Sequence, residues 1–78
     1  MAIDEEILVA LYYAAIKNGA PGGFRISEFM PEEYNYLDAR NVATRLLSQG
    51  YIAIPQGMSA SPIVYITEKG RQRAQSLL

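Results

Sequence analysis

The stretch Asn35–Ile52, NYLDARNVATRLLSQGYI, reads as one capped amphipathic helix that runs directly into a strand. A wheel drawn from Ala39 places Val42, Ala43, Leu46 and Leu47 in one apolar arc, with Arg40, Asn41, Thr44, Arg45 and Ser48 in the opposite one. The first arc is expected to pack, leaving the second free to touch another molecule. Asn35 carries the kind of side chain that caps a helix start, and Asp38 three residues on supports the same first turn. Gly50 stands where a left-handed residue ends a helix. The β-prone run Tyr51-Ile52-Ala53-Ile54-Pro55 then predicts a turn into a hairpin.

Downstream, Tyr51 to Pro55 and Pro62 to Thr67 are the expected strands of that hairpin, joined by Gln56-Gly57-Met58-Ser59-Ala60-Ser61 with Met58 exposed at its tip. Prolines at the strand ends argue for an edge ribbon, because proline donates nothing to a ladder. Thr67 is the expected cap of a last helix over Glu68 to Leu78. Its early cations Lys69, Arg71 and Arg73 oppose the helix dipole, so they are expected to be solvated or compensated by an external anion.

Upstream, Ile3 to Asn18 reads as a helix with Asp4, Glu5 and Glu6 where the dipole favours anions. Ile7, Leu8, Leu11, Ala14 and Ala15 form its inward stripe. Ile3, Tyr12 and Ile16 extend the apolar surface beyond what one small core needs, and suggest a partner surface. Gly19-Ala20-Pro21-Gly22-Gly23 is a break. It lacks the Lys-Ser/Thr and the preceding strand of a phosphate-binding loop. Phe24-Arg25-Ile26 is a short extended run, and Ser27 is the expected cap of a short helix through Glu28, Phe29 and Met30. That helix either kinks at Pro31 or restarts there. Phe29 and Tyr34 are expected to pack against the core.

The 78 residues suit a single domain, residues 1–78, with a small core and a use for dimerisation. Half of them are hydrophobic and 19% charged, a composition that folds. With neither Cys nor His, thiolate chemistry, disulfides, the usual zinc sites and an imidazole relay are excluded, and no cofactor or metal is expected. The apolar run Ile7 to Ile16 covers about half of the ~20 residues of a membrane span, so a soluble cytoplasmic protein is expected. The net charge of −1 is unevenly divided. Residues 1–35 carry Lys17 and Arg25 against six acids, a net of −4, whereas residues 36–78 carry five Lys/Arg against Asp38 and Glu68, a net of +3. Local field governs the approach of a polyanion, since screening limits charges to a range of about 10 Å.

Two segments in order, Leu46-Leu47-Ser48-Gln49-Gly50-Tyr51-Ile52 and Ile66-Thr67-Glu68-Lys69-Gly70, carry a family resemblance. The chain resembles a winged helix-turn-helix domain of the prokaryotic MarR/PadR-like kind over nearly all of Ile3 to Ala74. The resemblance implies an α+β, mostly helical fold: a three-helix core, a two-stranded β wing and a C-terminal helix. It implies that the helix over residues 36–49 enters the DNA major groove. Carried over by position, the groove-facing residues are Arg40, Asn41, Thr44 and Arg45, with Tyr36, Ser27 and Ser48 as phosphate contacts. Their chemistry fits the task independently: Arg pairs with guanine, Asn with adenine, and Thr bonds a base edge or meets a thymine methyl. The loop Gln56–Ser61 departs from the family in having neither Arg nor Lys. Modest affinity per monomer follows, which a homodimer through the first and last helices would raise by reading half-sites roughly 34 Å apart.

The expected function is therefore sequence-specific double-stranded DNA binding by a small transcriptional regulator. The alternative is a winged-helix protein–protein interaction module, favoured by overall acidity and the uncharged wing. Catalysis is not expected. The carboxylate groups Asp4-Glu5-Glu6 and Glu32-Glu33 diverge around helix starts, and the hydroxyls lack a His or an evident Lys base.

Overall fold

A computed structural model describes residues 1–19 and 23–78; the break expected over Gly19–Gly23 therefore lies partly outside the described residues. The elements run α1 (Ile3–Lys17), β1 (Phe24–Arg25), a 3-10 turn (Ile26–Phe29), α2 (Tyr36–Ser48), β2 (Ile52–Ala53), β3 (Ile63–Ile66) and α3 (Glu68–Leu77). The described residues thus form a mostly helical α+β fold of three α-helices and a small antiparallel sheet. Among them, no helix is long and apolar enough to cross a membrane.

Both ends of α2 are set by local chemistry. The Asn35 side chain accepts from the Asp38 N–H at 3.0 Å, and the Asp38 carboxylate accepts from the Asn35 N–H at 3.0 Å. This reciprocal pair satisfies two donors that a helix start otherwise leaves unbonded. At the other end Gly50 adopts φ +78°, the left-handed conformation expected of it.

The sheet has the order β1-β3-β2, with Phe24 opposite Val64 and Ile52 opposite Ile66. The edge ribbon expected from the prolines is thereby corrected. β3 lies in the middle because Phe24–Arg25 pairs on its free side, and Pro62 sits just before its first residue, where no ladder donor is required. Val64 and Ile66 are buried and Ile63 and Tyr65 half-buried, the alternation of a strand with one face on the core.

The core lies where α1, α2 and the sheet meet. Ile7, Leu8, Leu11 and Ala15 of α1 close on Ala39, Val42, Ala43 and Leu46 of α2, with Ile26, Ile52, Val64, Ile66 and Ala74 completing it. No polar side chain is buried among the described residues. α3 packs along α1, held by an Arg73–Glu5 ion pair at 3.1 Å and a Gln75–Tyr12 hydrogen bond at 3.0 Å.

Several local expectations are corrected. Ser27 caps no helix; the segment is a 3-10 turn whose preceding residue is Arg25, and the Ser27 hydroxyl lies 2.9 Å from that of Ser61. Pro31 falls after the turn, so neither a kink nor a proline-started helix arises there. Tyr34 is exposed, whereas Phe29 packs edge-on against Phe24 with centroids 5.9 Å apart. Met58 is half-buried against the core because its loop folds back, with the Gly57 N–H bonded to the Ile54 carbonyl. Leu47, placed in the packing arc by the wheel, is 42% exposed. The buried arc of α2 is centred between Leu46 and Ala39, which leaves Leu47 on its margin.

The two segments that carried the resemblance meet in space. The Thr67 N–H donates to the Tyr51 carbonyl at 3.0 Å, and the Thr67 hydroxyl donates to the Gly50 carbonyl at 2.7 Å while accepting from the Gly70 N–H. The Lys69 ammonium stands 5.5 Å from the centre of the Tyr51 ring. Gly70 is buried directly beneath the Tyr51 backbone.

Candidate functional site

The wheel of α2 drawn from its observed start runs Leu37, Asn41, Thr44 and Ser48 down the middle of the solvent face. Tyr36 and Arg40 lie to one side and Arg45 to the other. All seven are exposed, so each α2 residue expected to face outward does so. Thr44 donates its hydroxyl proton to the Arg40 carbonyl at 2.9 Å, and Ser48 donates to the Arg45 carbonyl at 2.9 Å. Both hydroxyls keep a lone pair free to accept, and Thr44 also keeps its methyl group. Among the described residues, Arg40 and Asn41 form no side-chain hydrogen bond or ion pair.

Arg45 is arranged differently. Its Nε and Nη2 donate to the two oxygens of Asp4 at 2.7 and 2.8 Å, a bidentate clamp across the α1–α2 junction. The Asp4 carboxylate raises the Arg45 pKa above its ordinary value through these hydrogen bonds, with a further coulombic contribution, against a lowering from burial. The guanidinium remains half-exposed, so its Nη1 donors are open to solvent while its charge is already compensated.

The same holds for other cations of the basic half. Arg73 pairs with Glu5 and Arg71 with Glu68, the latter at 2.6 Å. The charge division along the chain is therefore largely cancelled in space, because the first turn of α1 lies against the end of α2 and against α3. Of the cations of the last helix, Arg71 and Arg73 thus find internal acids in place of an external anion while staying partly solvated, and Lys69 is exposed as expected, beside the Tyr51 ring. No local signal marks a partner for Arg45 that lies 41 positions away.

Ser27 and Arg25 sit at the base of the loop between β2 and β3. Arg25 donates to the Ser61 carbonyl at 2.8 Å, and with the Ser27–Ser61 contact it ties the loop to β1 and the 3-10 turn. Ser27 is thus exposed yet engaged.

The family, curated-protein and solved-structure comparisons find no match to this chain. What the chain can do must therefore be read from its own surface. A cavity of about 460 Å³ opens between the start of α1, the end of α2 and α3. Leu8, Leu46 and Tyr51 line it together with Asp4, Glu5 and Arg73, whose charges are already paired at its rim. Among the described residues, no group of three or more His, Cys, Asp or Glu could hold a metal ion.

Leu37 is the outward residue that reading from Ala39 missed. It is 50% exposed, one turn before Asn41. A wheel begun at the Asn35 cap would have placed it there.

Proposed function

We propose that this chain is a winged helix-turn-helix domain that binds double-stranded DNA, with α2 in the major groove and a homodimer supplying a second α2. The observation that carries the reading is the free outward face of α2, where Arg40, Asn41 and Thr44 stand together with no other part of the described chain over them. The order of elements supports it: the 3-10 turn and α2 stand for the helix-turn-helix, and β2, β3 and their loop for the wing. A helix with such an outward face, set on a small rigid body, has the dimensions and chemistry that a major groove accepts. Arg45 is open for a phosphate contact through Nη1, and Tyr36, Ser48 and Ser27 are proposed phosphate contacts that position the domain.

Homodimerisation through α1 and α3 is part of the proposal. Tyr13 and Ile16 on α1 are each 55% exposed, and Leu78 next to the end of α3 is exposed as well. Apolar side chains of this size are the usual anchors of a subunit contact.

The test is Arg40→Ala, measured by fluorescence anisotropy against duplex DNA. Arg40 is preferable to Arg45 for this purpose, since removing Arg45 would also leave Asp4 unpaired. Loss of a base or phosphate contact is worth roughly 1–3 kcal/mol, so binding should weaken roughly five- to 150-fold with the fold intact. Unchanged binding would remove α2 from the mechanism.

A second reading, a protein-interaction module of regulatory or scaffolding kind, is favoured by the ion pairs that neutralise Arg45, Arg71 and Arg73 and by exposed Tyr36, Leu37 and Leu47 on α2. A salt titration separates the two. A DNA binder releases counterions and its affinity falls steeply with salt, whereas negligible affinity and a flat response favour the module.

A further inference from the structure

We propose that the outward row of α2 selects A·T base pairs, with Leu37 reading the C5-methyl group of thymine. The inference rests on the DNA-binding reading above and names the substrate class of that same surface.

Two independent observations support it. The first is the composition of the row. Leu37, Asn41, Thr44 and Ser48 follow one another at spacings of four, three and four residues, which on an α-helix is a single line. Leu37 opens the line near the helix N-terminus, the end from which a recognition helix reaches base edges, and half of its surface is exposed. Its side chain offers only apolar contact, and in the major groove the thymine methyl is the group that apolar side chains meet. Next in line, Asn41 has the amide pair that matches adenine N6 and N7. Thr44 donates its hydroxyl proton to the Arg40 carbonyl, so toward the groove it offers a methyl group and an acceptor lone pair.

The second observation concerns guanine. Arginine reads guanine by directing a pair of N–H groups at O6 and N7. In Arg45 the pair on the Nε side is already held by Asp4 at 2.7 and 2.8 Å. The clamp ties the Arg45 guanidinium to α1 at one side of the row, with only its Nη1–Nη2 edge free, and Arg40 stands on the other flank. What remains along the centre of the row is apolar contact, an amide and a methyl group, a set that addresses thymine and adenine.

The experiment uses the full chain at low salt with three duplexes of equal length: alternating dA-dT, alternating dA-dU and alternating dG-dC. Uracil lacks only the C5-methyl group, so the first two duplexes differ at the atom in question. The expected order is dA-dT tightest, with dA-dU weaker by about fourfold for each methyl met, the equivalent of one buried methyl-sized group. Leu37→Ala should narrow the gap between dA-dT and dA-dU by about fourfold while keeping the circular dichroism and melting of the parent, since the side chain is outside the core. Equal affinity of the parent for dA-dT and dA-dU, or tighter binding to dG-dC, overturns this inference and leaves DNA binding standing. Binding to none of the three duplexes overturns both.

Discussion

Replacing Gly70 by alanine tests the junction on which the orientation of α2 depends. Gly70 lies in the first turn of α3, buried, with its N–H donated to the Thr67 hydroxyl at 3.0 Å. Intrinsic propensity alone favours the substitution, since alanine is better than glycine inside a helix by about 1 kcal/mol. The surroundings oppose it. A Cβ on Gly70 would overlap the Tyr51 carbonyl oxygen and stand 2.9 Å from Ile66 Cγ1. The first of these neighbours is backbone, and its oxygen is the acceptor for the Thr67 N–H at 3.0 Å, so relief requires moving Tyr51 and weakening that bond. Overpacking of this kind costs about 1–3 kcal/mol, and the hydrogen bond adds about 1 kcal/mol. With the propensity gain subtracted, Gly70→Ala should destabilise the domain by about 2 kcal/mol. For a chain of this length that is a fall of roughly 8–16 °C in Tm, readable by calorimetry or circular dichroism. Gly57→Ala is the comparison, because nothing lies within 4 Å of a Cβ there and only the strain of φ +85° remains, about 1–2 kcal/mol. A Gly70→Ala protein that melts at or above the parent would refute the account of how α3 docks under Tyr51.

Other perturbations separate the parts. Thr67→Ala removes both the cap on Gly70 and the bond to the Gly50 carbonyl and should cost about 1–2 kcal/mol, with Thr67→Ser recovering most of it; thermal melts decide. Asp4→Asn releases Arg45 from its clamp, so on the DNA-binding reading affinity should rise and the salt dependence should steepen by about one phosphate contact, while stability falls by no more than about 1 kcal/mol; anisotropy at several salt concentrations checks the first and melting the second. Ile16→Glu places a charge on the exposed face of α1 and should shift a self-associating protein to monomer in sedimentation experiments without unfolding it; an unchanged mass distribution would place the subunit contact elsewhere.

Local signals in the sequence were sufficient for much of this molecule. The Asn35–Asp38 cap, the left-handed Gly50, the cap at Thr67 and the buried sides of α1 and α2 depend on neighbours within one or two turns, and residues that close carry their own instructions. For the same reason the outward placement of Arg40, Asn41, Thr44 and Arg45 was legible from the helical repeat. The short turn at Ile26–Phe29, the central position of β3 and the inward Met58 were not, because each is set by pairing or packing with residues far along the chain. The charges show the difference most sharply. Counting them along the chain separates an acidic half from a basic one, but folding brings Asp4 to Arg45 and Glu5 to Arg73, and coulombic interaction depends on distance in space. Sequence alone thus determined which side of α2 looks outward, since that follows from a 3.6-residue repeat. Only the tertiary structure decided which cations on the surface remain uncompensated, since that depends on where the first turn of α1 comes to rest.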